Sequence, residues 1–396
     1  MSFINREASI AKFQAFLSPE SPEWLLCFHG LNGLGKTTLL KHLHTQPEIA
    51  PAWIDFDLKS YRDYHNTVLK ALERALRSHR LPPEAWAVYE RECDAIAEWA
   101  AHDRIVASQT NLATAGSTIS NVSQSMIVNM EEGLARIELE AARARTRAWL
   151  DLAEHLDGAF VILIDHWDAL VQRGSPDFRA WMAQDVLLAA HQRSPTLRVV
   201  VASEQPLRET GLDEGVANVE LPPLSRKHAG QLMREGGVDD PAVQAAIWER
   251  TGGNPLLLNL AITLWRQEPG LDPSGLVQGL SVRAASEWLL GRISERLADP
   301  RSRAVLERGV ILVTWTRDLL EAVCERDDLD SSWYRLFTAY PFVQDAPGQP
   351  GLKIFIRTVR EIQIAQLWRN HRPLFHTTHA NAFRWYTTRH GVEVSP

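Results

Sequence analysis

The sequence predicts an α/β fold: a parallel sheet covered by helices on both faces, followed by a helical region. Short apolar runs, as expected for strands buried on both faces, recur at residues 24–28, 52–56, 160–164 and 197–202. Stretches with apolar residues at helical spacing separate these runs. Strands that alternate with helices form parallel sheets, which bind ligands at the carboxyl ends of their strands.

The first strand leads directly into residues 30–37, which read G-x-x-x-x-G-K-T. Glycines let such a loop curl so that its N–H groups point at phosphate oxygens, and the helix that follows adds its positive dipole end. Lys36 would reach the β- and γ-phosphates, and the Thr37 hydroxyl would hold Mg²⁺. An ordinary glycine-rich turn with a surface lysine is the alternative, but the flanking strand and helix favour a nucleoside triphosphate site. The nucleotide contacts predicted here are Gly30, Asn32, Gly33, Leu34, Gly35, Lys36, Thr37 and Thr38.

The third strand supplies a carboxylate for the same site. Five apolar residues end in Asp165, which we expect beside the phosphate loop as the second Mg²⁺ ligand with Thr37. Asp168, three residues later, could orient or deprotonate the attacking water, or serve as a helix N-cap. The predicted catalytic residues are Lys36, Asp165 and Asp168. His166 stands where many related ATPases carry a catalytic glutamate, which predicts slow hydrolysis.

Composition sets the class of protein. The chain has 396 residues, 45% of them apolar and 23% charged, which predicts a folded protein of two or three domains. A net charge of −7 excludes a general attraction to nucleic acid. Three widely spaced cysteines suit a reducing compartment. Residues 1–7 show no apolar h-region, and no run in the sequence approaches the roughly 20 apolar residues that a membrane helix needs. We therefore expect a cytoplasmic protein that does not bind membranes.

An insertion at about residues 81–147 separates the second and third strands. Its flanks at 85–101 and 131–152 look helical, while residues 108–125 are rich in Ser, Thr, Asn and Gln. The middle could be a polar β-hairpin or a disordered loop. We expect the insertion to be a surface for a partner or a second copy, or else a solvated excursion without a function.

The carboxyl-terminal part begins after residue 222. It is helical through Arg266, except for an interruption at 251–255. Further on, two short extended runs at 340–344 and 352–356 flank a glycine and proline turn, which suggests the wing of a winged helix. The predicted domains are a nucleotide-binding domain at 1–222, a helical domain at 223–272 and a winged-helix domain at 273–396.

Taken in order, these motifs resemble those of the signal transduction ATPases with numerous domains (STAND), a branch of the AAA+ P-loop NTPases. Residues 3–7, F-I-N-R-E, are similar to the family's opening F-x-G-R-E box, with Asn5 in place of glycine. The phosphate loop and residues 164–168 resemble the two nucleotide motifs. Residues 221–225 resemble the link into the helical domain, and residues 253–255 match its G-x-P motif.

The resemblance implies ATP or ADP with Mg²⁺ as the cofactors. It places Arg6 near the adenine and packs Pro255 on the base, where the same proline can also begin a helix after an Asn254 cap. The sensor position after the fourth strand often carries arginine, but this chain has Ser203, which we expect near the γ-phosphate. The winged helix lacks the family's His-Asp pair, and Arg357 could approach a phosphate in its place.

The leading interpretation is an ATP-binding molecular switch with slow Mg²⁺-dependent hydrolysis. Nucleotide would rearrange the domains and control association with itself or a protein partner in signalling or defence. One alternative is a DNA-binding transcriptional regulator, because residues 352–396 carry seven Lys and Arg against two Glu. The other is an interaction scaffold with a structural nucleotide.

Overall fold

The computed structural model describes residues 6–46, 50–115, 124–194, 196–208, 212, 214–267, 282–297, 299–340, 342–346, 349 and 351–390. Internal contacts divide the chain into two compact units. The sheet unit comprises residues 8–30 and 36–220, and the C-terminal unit comprises residues 31–35 and 221–396 together with the N-terminal residues up to Glu7.

The sheet unit is built on five parallel strands in the order β2-β3-β4-β1-β5. The strands are β1 (Leu25–His29), β2 (Ala52–Asp55), β3 (Phe160–Asp165), β4 (Leu197–Ser203) and β5 (Val216–Glu220). The predicted parallel α/β fold is confirmed, and four strands lie where the apolar runs placed them. Sequence analysis missed β5, because this edge strand alternates exposed and half-buried residues and has no continuous apolar run.

Helices surround this sheet. They are α1 (Glu7–Phe16), α2 (Lys36–His44), α3 (Lys59–Asp63), α4 (His65–Leu76), α5 (Pro83–Ala115), α6 (Gln124–Ala153), α7 (Trp167–Arg173), α8 (Pro176–Ala180) and α9 (Ala189–Arg193), and a π-helical stretch, Trp181–Leu188, joins α8 to α9. The predicted apolar positions of α2, Leu39, Leu40 and Leu43, are fully buried.

The insertion is helical. Helices α5 and α6 pack along each other, and α5 continues to Ala115, so a hairpin or loop does not occur at 108–115. The rest of the predicted polar middle, residues 116–123, lies outside the described residues. Tyr89 and Ala142 are buried in the core of the sheet unit. The base of the insertion therefore belongs to this core and is more than a solvated excursion.

The C-terminal unit contains nine helices in its described part. They are α10 (Arg226–Glu235), α11 (Pro241–Thr251), α12 (Pro255–Gln267), α13 (Val282–Arg296), α14 (Pro300–Arg308), α15 (Arg317–Cys324), α16 (Ser331–Thr338), α17 (Arg357–Asn370) and α18 (Arg372–His390), with one 3₁₀ turn, Gly309–Ile311.

Two short strands, β6 (Val343–Asp345) and β7 (Lys353–Phe355), pair antiparallel where the two extended runs were predicted. Trp315 adds an isolated antiparallel bridge to Lys353. The predicted boundary at 272 falls outside the described residues, so the division into helical and winged-helix domains stays a prediction. None of the helices that the structure describes combines the length and apolarity needed to cross a membrane.

Candidate functional site

The phosphate loop lies between β1 and α2, as its sequence predicts. Gly33 and Gly35 have φ angles of 82° and 87°, in the left-handed region that favours glycine. Lys36 is the first residue of α2 and is 9% exposed. Its Nζ donates a hydrogen bond of 2.6 Å to the Gly30 carbonyl, so the lysine folds back toward the start of its own loop.

Asp165 and Thr37 come together in the sheet unit. Asp165 is the last residue of β3 and is 1% exposed. The Thr37 side chain, one residue into α2, lies beside this carboxylate and favours its charged form, which lowers the pKa of Asp165 against the effect of burial. Oδ2 of Asp165 is buried and lacks a hydrogen-bond partner among the described residues, so it can still accept a ligand. A hydroxyl and a carboxylate are oxygen donors of the kind that Mg²⁺ prefers, and the two side chains fit that ion.

Asp55 is a third member of this cluster, which sequence analysis missed. It ends β2 as the register partner of Asp165 and is 5% exposed. Nδ1 of His166 lies 2.9 Å from Asp55 Oδ1 and 3.6 Å from Asp165 Oδ2. His166 adopts a left-handed conformation with φ 56° and precedes α7, and its backbone N–H donates to Asp165 Oδ1 at 3.0 Å. The sequence signal that could have identified Asp55 is its position at the end of a second apolar run, as for Asp165.

Burial and mutual charge displace the pKa values of the three side chains. Burial disfavours a charged imidazole, but the Asp165 and Asp55 carboxylates overcome it and raise the pKa of His166 to about 10. Burial also opposes ionisation of Asp55, yet the charge and hydrogen bond of His166 leave the pKa of Asp55 below its usual value. For Asp165, burial and the nearby Asp55 raise the pKa despite His166. A protonated His166 therefore pairs most closely with Asp55.

Two other predicted residues also lie in the sheet unit. Asp168 is buried in the first turn of α7, whose N-cap is His166, so Asp168 is not the helix cap. Ser203 ends β4 beside His29 of β1, and its carbonyl accepts a 3.3 Å hydrogen bond from the Gly30 N–H. Since β4 runs between β1 and β3, Ser203 lies at the same strand edge as Gly30 and Asp165.

The remaining predicted residues belong to the C-terminal unit. The Arg6 guanidinium donates to the backbone carbonyls of Leu34 and Pro222, the latter at 3.0 Å. The preceding residues of the F-I-N-R-E box, 3–5, lie outside the described residues. Pro255 is the first residue of α12. Nε of Arg357 donates to Glu361 Oε1 at 3.0 Å, one turn along α17.

Asn254, which precedes α12, contacts the tip of the phosphate loop. Its Nδ2 donates to the Asn32 carbonyl at 3.0 Å, while its Oδ1 accepts from the N–H groups of Leu256 and Leu257 at 3.0 and 3.2 Å. The Leu256 N–H also donates to the Gly33 carbonyl at 3.2 Å. The sequence predicts only a helix-capping role for Asn254. The contact with the loop joins residues 222 positions apart and left no local signal.

No protein-family model matches the chain, and no curated protein matches its sequence. Similar solved structures include a STAND protein with a tetratricopeptide repeat sensor from Pyrococcus horikoshii, at 13% identity and a TM-score of 0.47. That match covers 98% of this chain and 48% of the other, so this chain spans about half its length.

Two origin recognition complex (ORC) structures are also similar. Drosophila ORC bound to DNA has 15% identity and a TM-score of 0.36, over 92% of this chain and 95% of the other. The ORC2 protein of Aeropyrum pernix, in ADPNP-ADP complexes, has 12% identity and a TM-score of 0.39, over 93% of this chain and 96% of the other.

Proposed function

We propose that this chain is an ATP-binding molecular switch of the STAND type, a branch of the AAA+ P-loop NTPases, with slow Mg²⁺-dependent hydrolysis. The observation that carries the proposal is geometric: α2, which begins with Lys36 and Thr37, packs against β3, and β3 ends in the buried Asp165, whose Oδ2 lacks a hydrogen-bond partner among the described residues. A glycine-rich turn with a surface lysine has no need of a buried carboxylate beside its hydroxyl. A triphosphate site needs that pair to hold its metal ion.

Each residue then has a defined role. Lys36 leaves the Gly30 carbonyl and binds the β- and γ-phosphates, and the loop N–H groups bind phosphate oxygens. Thr37 and Asp165 would hold Mg²⁺, which neutralises phosphate charge when bound. Ser203, at the end of β4, would sense the γ-phosphate, and Asp168 would orient the attacking water.

Three further nucleotide contacts, Pro255, Arg6 and Arg357, are implied by the family resemblance. Pro255 would cover the adenine from the start of α12. Arg6 binds two backbone carbonyls, and Arg357 binds Glu361. These contacts favour a supporting role for both arginines over direct contact with nucleotide.

Slow hydrolysis follows from His166. It stands where many related ATPases carry a catalytic glutamate, and its Nδ1 is held 2.9 Å from Asp55 Oδ1. The bound triphosphate would therefore be cleaved slowly. This suits a switch that responds to exchange, and also the alternative of a nucleotide-stabilised scaffold.

A switch also requires that ATP and ADP differ in affinity for two arrangements of the domains. We propose that contacts of Lys36 and Ser203 with the γ-phosphate supply this difference. Association with a protein partner or a second copy would follow in one state.

The decisive test is Lys36→Ala in titration calorimetry with ATP and Mg²⁺. Removing the charged donor should weaken ATP binding roughly 100-fold, since a lost charge-assisted hydrogen bond costs about 1.5–3 kcal/mol. Lys70→Ala, at an exposed position of α4, is the matched control and should bind ATP like the parent protein. Equal affinities for the Lys36 variant and the parent would refute the nucleotide site.

A further inference from the structure

The carbonyl groups of three consecutive residues at the tip of the phosphate loop all accept hydrogen bonds. The Asn32 carbonyl accepts from Asn254 Nδ2, the Gly33 carbonyl from the Leu256 N–H, and the Leu34 carbonyl from Arg6. Every donor and acceptor in this set belongs to the C-terminal unit. The start of α12 and Arg6 together therefore hold the loop tip by its backbone.

A held carbonyl also fixes the N–H group that follows it. A trans peptide is planar, and its carbonyl oxygen and amide hydrogen point in opposite directions. Fixing the carbonyls of residues 32, 33 and 34 therefore fixes the N–H groups of residues 33, 34 and 35. These N–H groups belong to the loop that would bind phosphate oxygens, so the donors outside the loop preset its geometry for an anion.

Asparagine is suited to this place because its side chain is both an acceptor and a donor. Its Oδ1 caps α12 while its Nδ2 holds the loop. Serine and aspartate are equally good caps, but the carboxylate of aspartate has no donor to offer, and a serine hydroxyl is shorter than the asparagine amide. Asn254 is 5% exposed, so a lost contact there is poorly replaced by water.

The packing against the loop is close as well. A Cβ atom on Gly33 would lie 2.7 Å from Asn254 Oδ1 and 2.8 Å from Leu256 Cβ, distances that real Cβ atoms do not show. The glycine therefore permits the approach of α12 in addition to its left-handed φ.

We propose that Asn254 is a positioning residue for a nucleoside di- or triphosphate: it presents the loop N–H groups to the phosphates and joins occupancy of the loop to the order of the first turn of α12. This inference rests on the proposed nucleotide site and names a residue that acts on it from outside. Coupling between two equilibria is reciprocal, so bound nucleotide should in turn stabilise the start of α12.

The test replaces the donor and keeps the cap. Asn254→Asp retains an acceptor for the N–H groups of Leu256 and Leu257, but it buries a charge beside the Asn32 carbonyl, so the melting temperature without nucleotide should fall. Its affinity for ADP and ATP in calorimetry should fall by about 10-fold, the upper end for one net hydrogen bond. The matched control is Gln244→Glu, which loses an Nε2 bond of 2.7 Å to the Val238 carbonyl in the same unit. This control should bind nucleotide within about 2-fold of the parent, because a bond away from the loop does not orient its N–H groups.

A second variant and a second measurement guard against a folding defect. Asn254→Ser should repeat the loss of affinity with the cap preserved. In hydrogen exchange on the parent protein, ADP should slow exchange of the Leu256 and Leu257 amides. Parental affinity in both Asn254 variants, or unchanged exchange at these amides while ADP is bound, would overturn the inference. If Lys36→Ala still weakens binding in that case, the proposed nucleotide site stands without the role of Asn254.

Discussion

Buried polar side chains differ in kind between the two units. In the sheet unit they include charged groups: Lys36, Asp55, Asp165, Asp168 and Arg198. Among the described residues from 221 onward they are all uncharged, and they are Thr251, Asn254, Thr263, Ser286, Ser302, Gln363, Thr378 and Asn381. The C-terminal unit gains one buried charge, Arg6, from the N-terminal segment.

Under the proposed function, this difference separates chemistry from positioning. A buried charge is expensive unless it is paired or hydrogen-bonded. Arg198, near the start of β4, donates to the backbone carbonyls of Phe16 and Ser18. Asp55 and Asp165 bear the penalty at the carboxyl edge of the strands, where they meet His166. The C-terminal unit uses amides and hydroxyls, which fix geometry without charge, and Asn254 on the loop tip is one example. If the contrast is functional, substitutions in the two regions should fail in different ways.

The largest effect should come from the carboxylate edge. Asp165→Asn removes a proposed metal ligand, and Mg²⁺-dependent ATP turnover should fall by about 10²–10³-fold, as when other transition-state charge stabilisers are removed. Nucleotide binding should persist, since Lys36 and the loop N–H groups remain. Steady-state phosphate release and calorimetry measure the two quantities. Asp151→Asn, at an exposed position of α6, is the control. Parental turnover in the Asp165 variant would break the assignment of chemistry to this edge.

The next largest effect should be a loss of stability when a side chain is added at the loop tip. Gly33→Ala and Gly35→Ala share the backbone strain of a left-handed φ, but the added Cβ meets Asn254 and Leu256 only at Gly33. At Gly35 nothing lies within 4 Å. The free energy of unfolding without nucleotide should therefore be lower for Gly33→Ala by about 1–3 kcal/mol, the typical penalty of overpacking. Urea titrations compare the two variants, and equal values would mean that α12 does not press on the loop.

The smallest effect should be a dependence of stability on pH. Burial and the charge of Arg143 lower the pKa of His65 to about 4, and its ring packs against Phe178 and Trp181. Between about pH 6.5 and pH 4, His65 is protonated in the unfolded chain but neutral in the folded chain. The free energy of unfolding should therefore fall as the pH falls through this window. The free energy of unfolding, measured at several pH values, should fall with a slope that corresponds to at most one proton, about 1.4 kcal/mol per pH unit.

A histidine pair sharpens this prediction. His65→Gln should flatten the slope in that window, whereas the exposed His155→Gln should leave it as in the parent. An unchanged slope in the His65 variant would show that ionisable groups elsewhere govern the acid response of the sheet unit.

The sequence by itself determined the features that local pattern encodes. Apolar runs predicted four strands, and the glycine spacing predicted the phosphate loop. The acid at the end of the third apolar run, Asp165, was predicted as a metal ligand. Short-range patterns suffice here because strand burial, loop curvature and helix starts depend on neighbouring residues. The sequence did not predict the edge strand β5. Its residues show no apolar run, and it is a strand because it pairs with β1.

Only the tertiary structure decided the partners of the side chains. His166 meets Asp55 from 111 residues away, Asn254 meets Asn32 from 222, and Arg6 meets Pro222 from 216. Each side chain has several possible partners, and the register of the sheet or the packing of a helix selects one. The residues of the proposed site can therefore be predicted from the sequence, whereas the long-range contacts that position them are seen only in the folded structure.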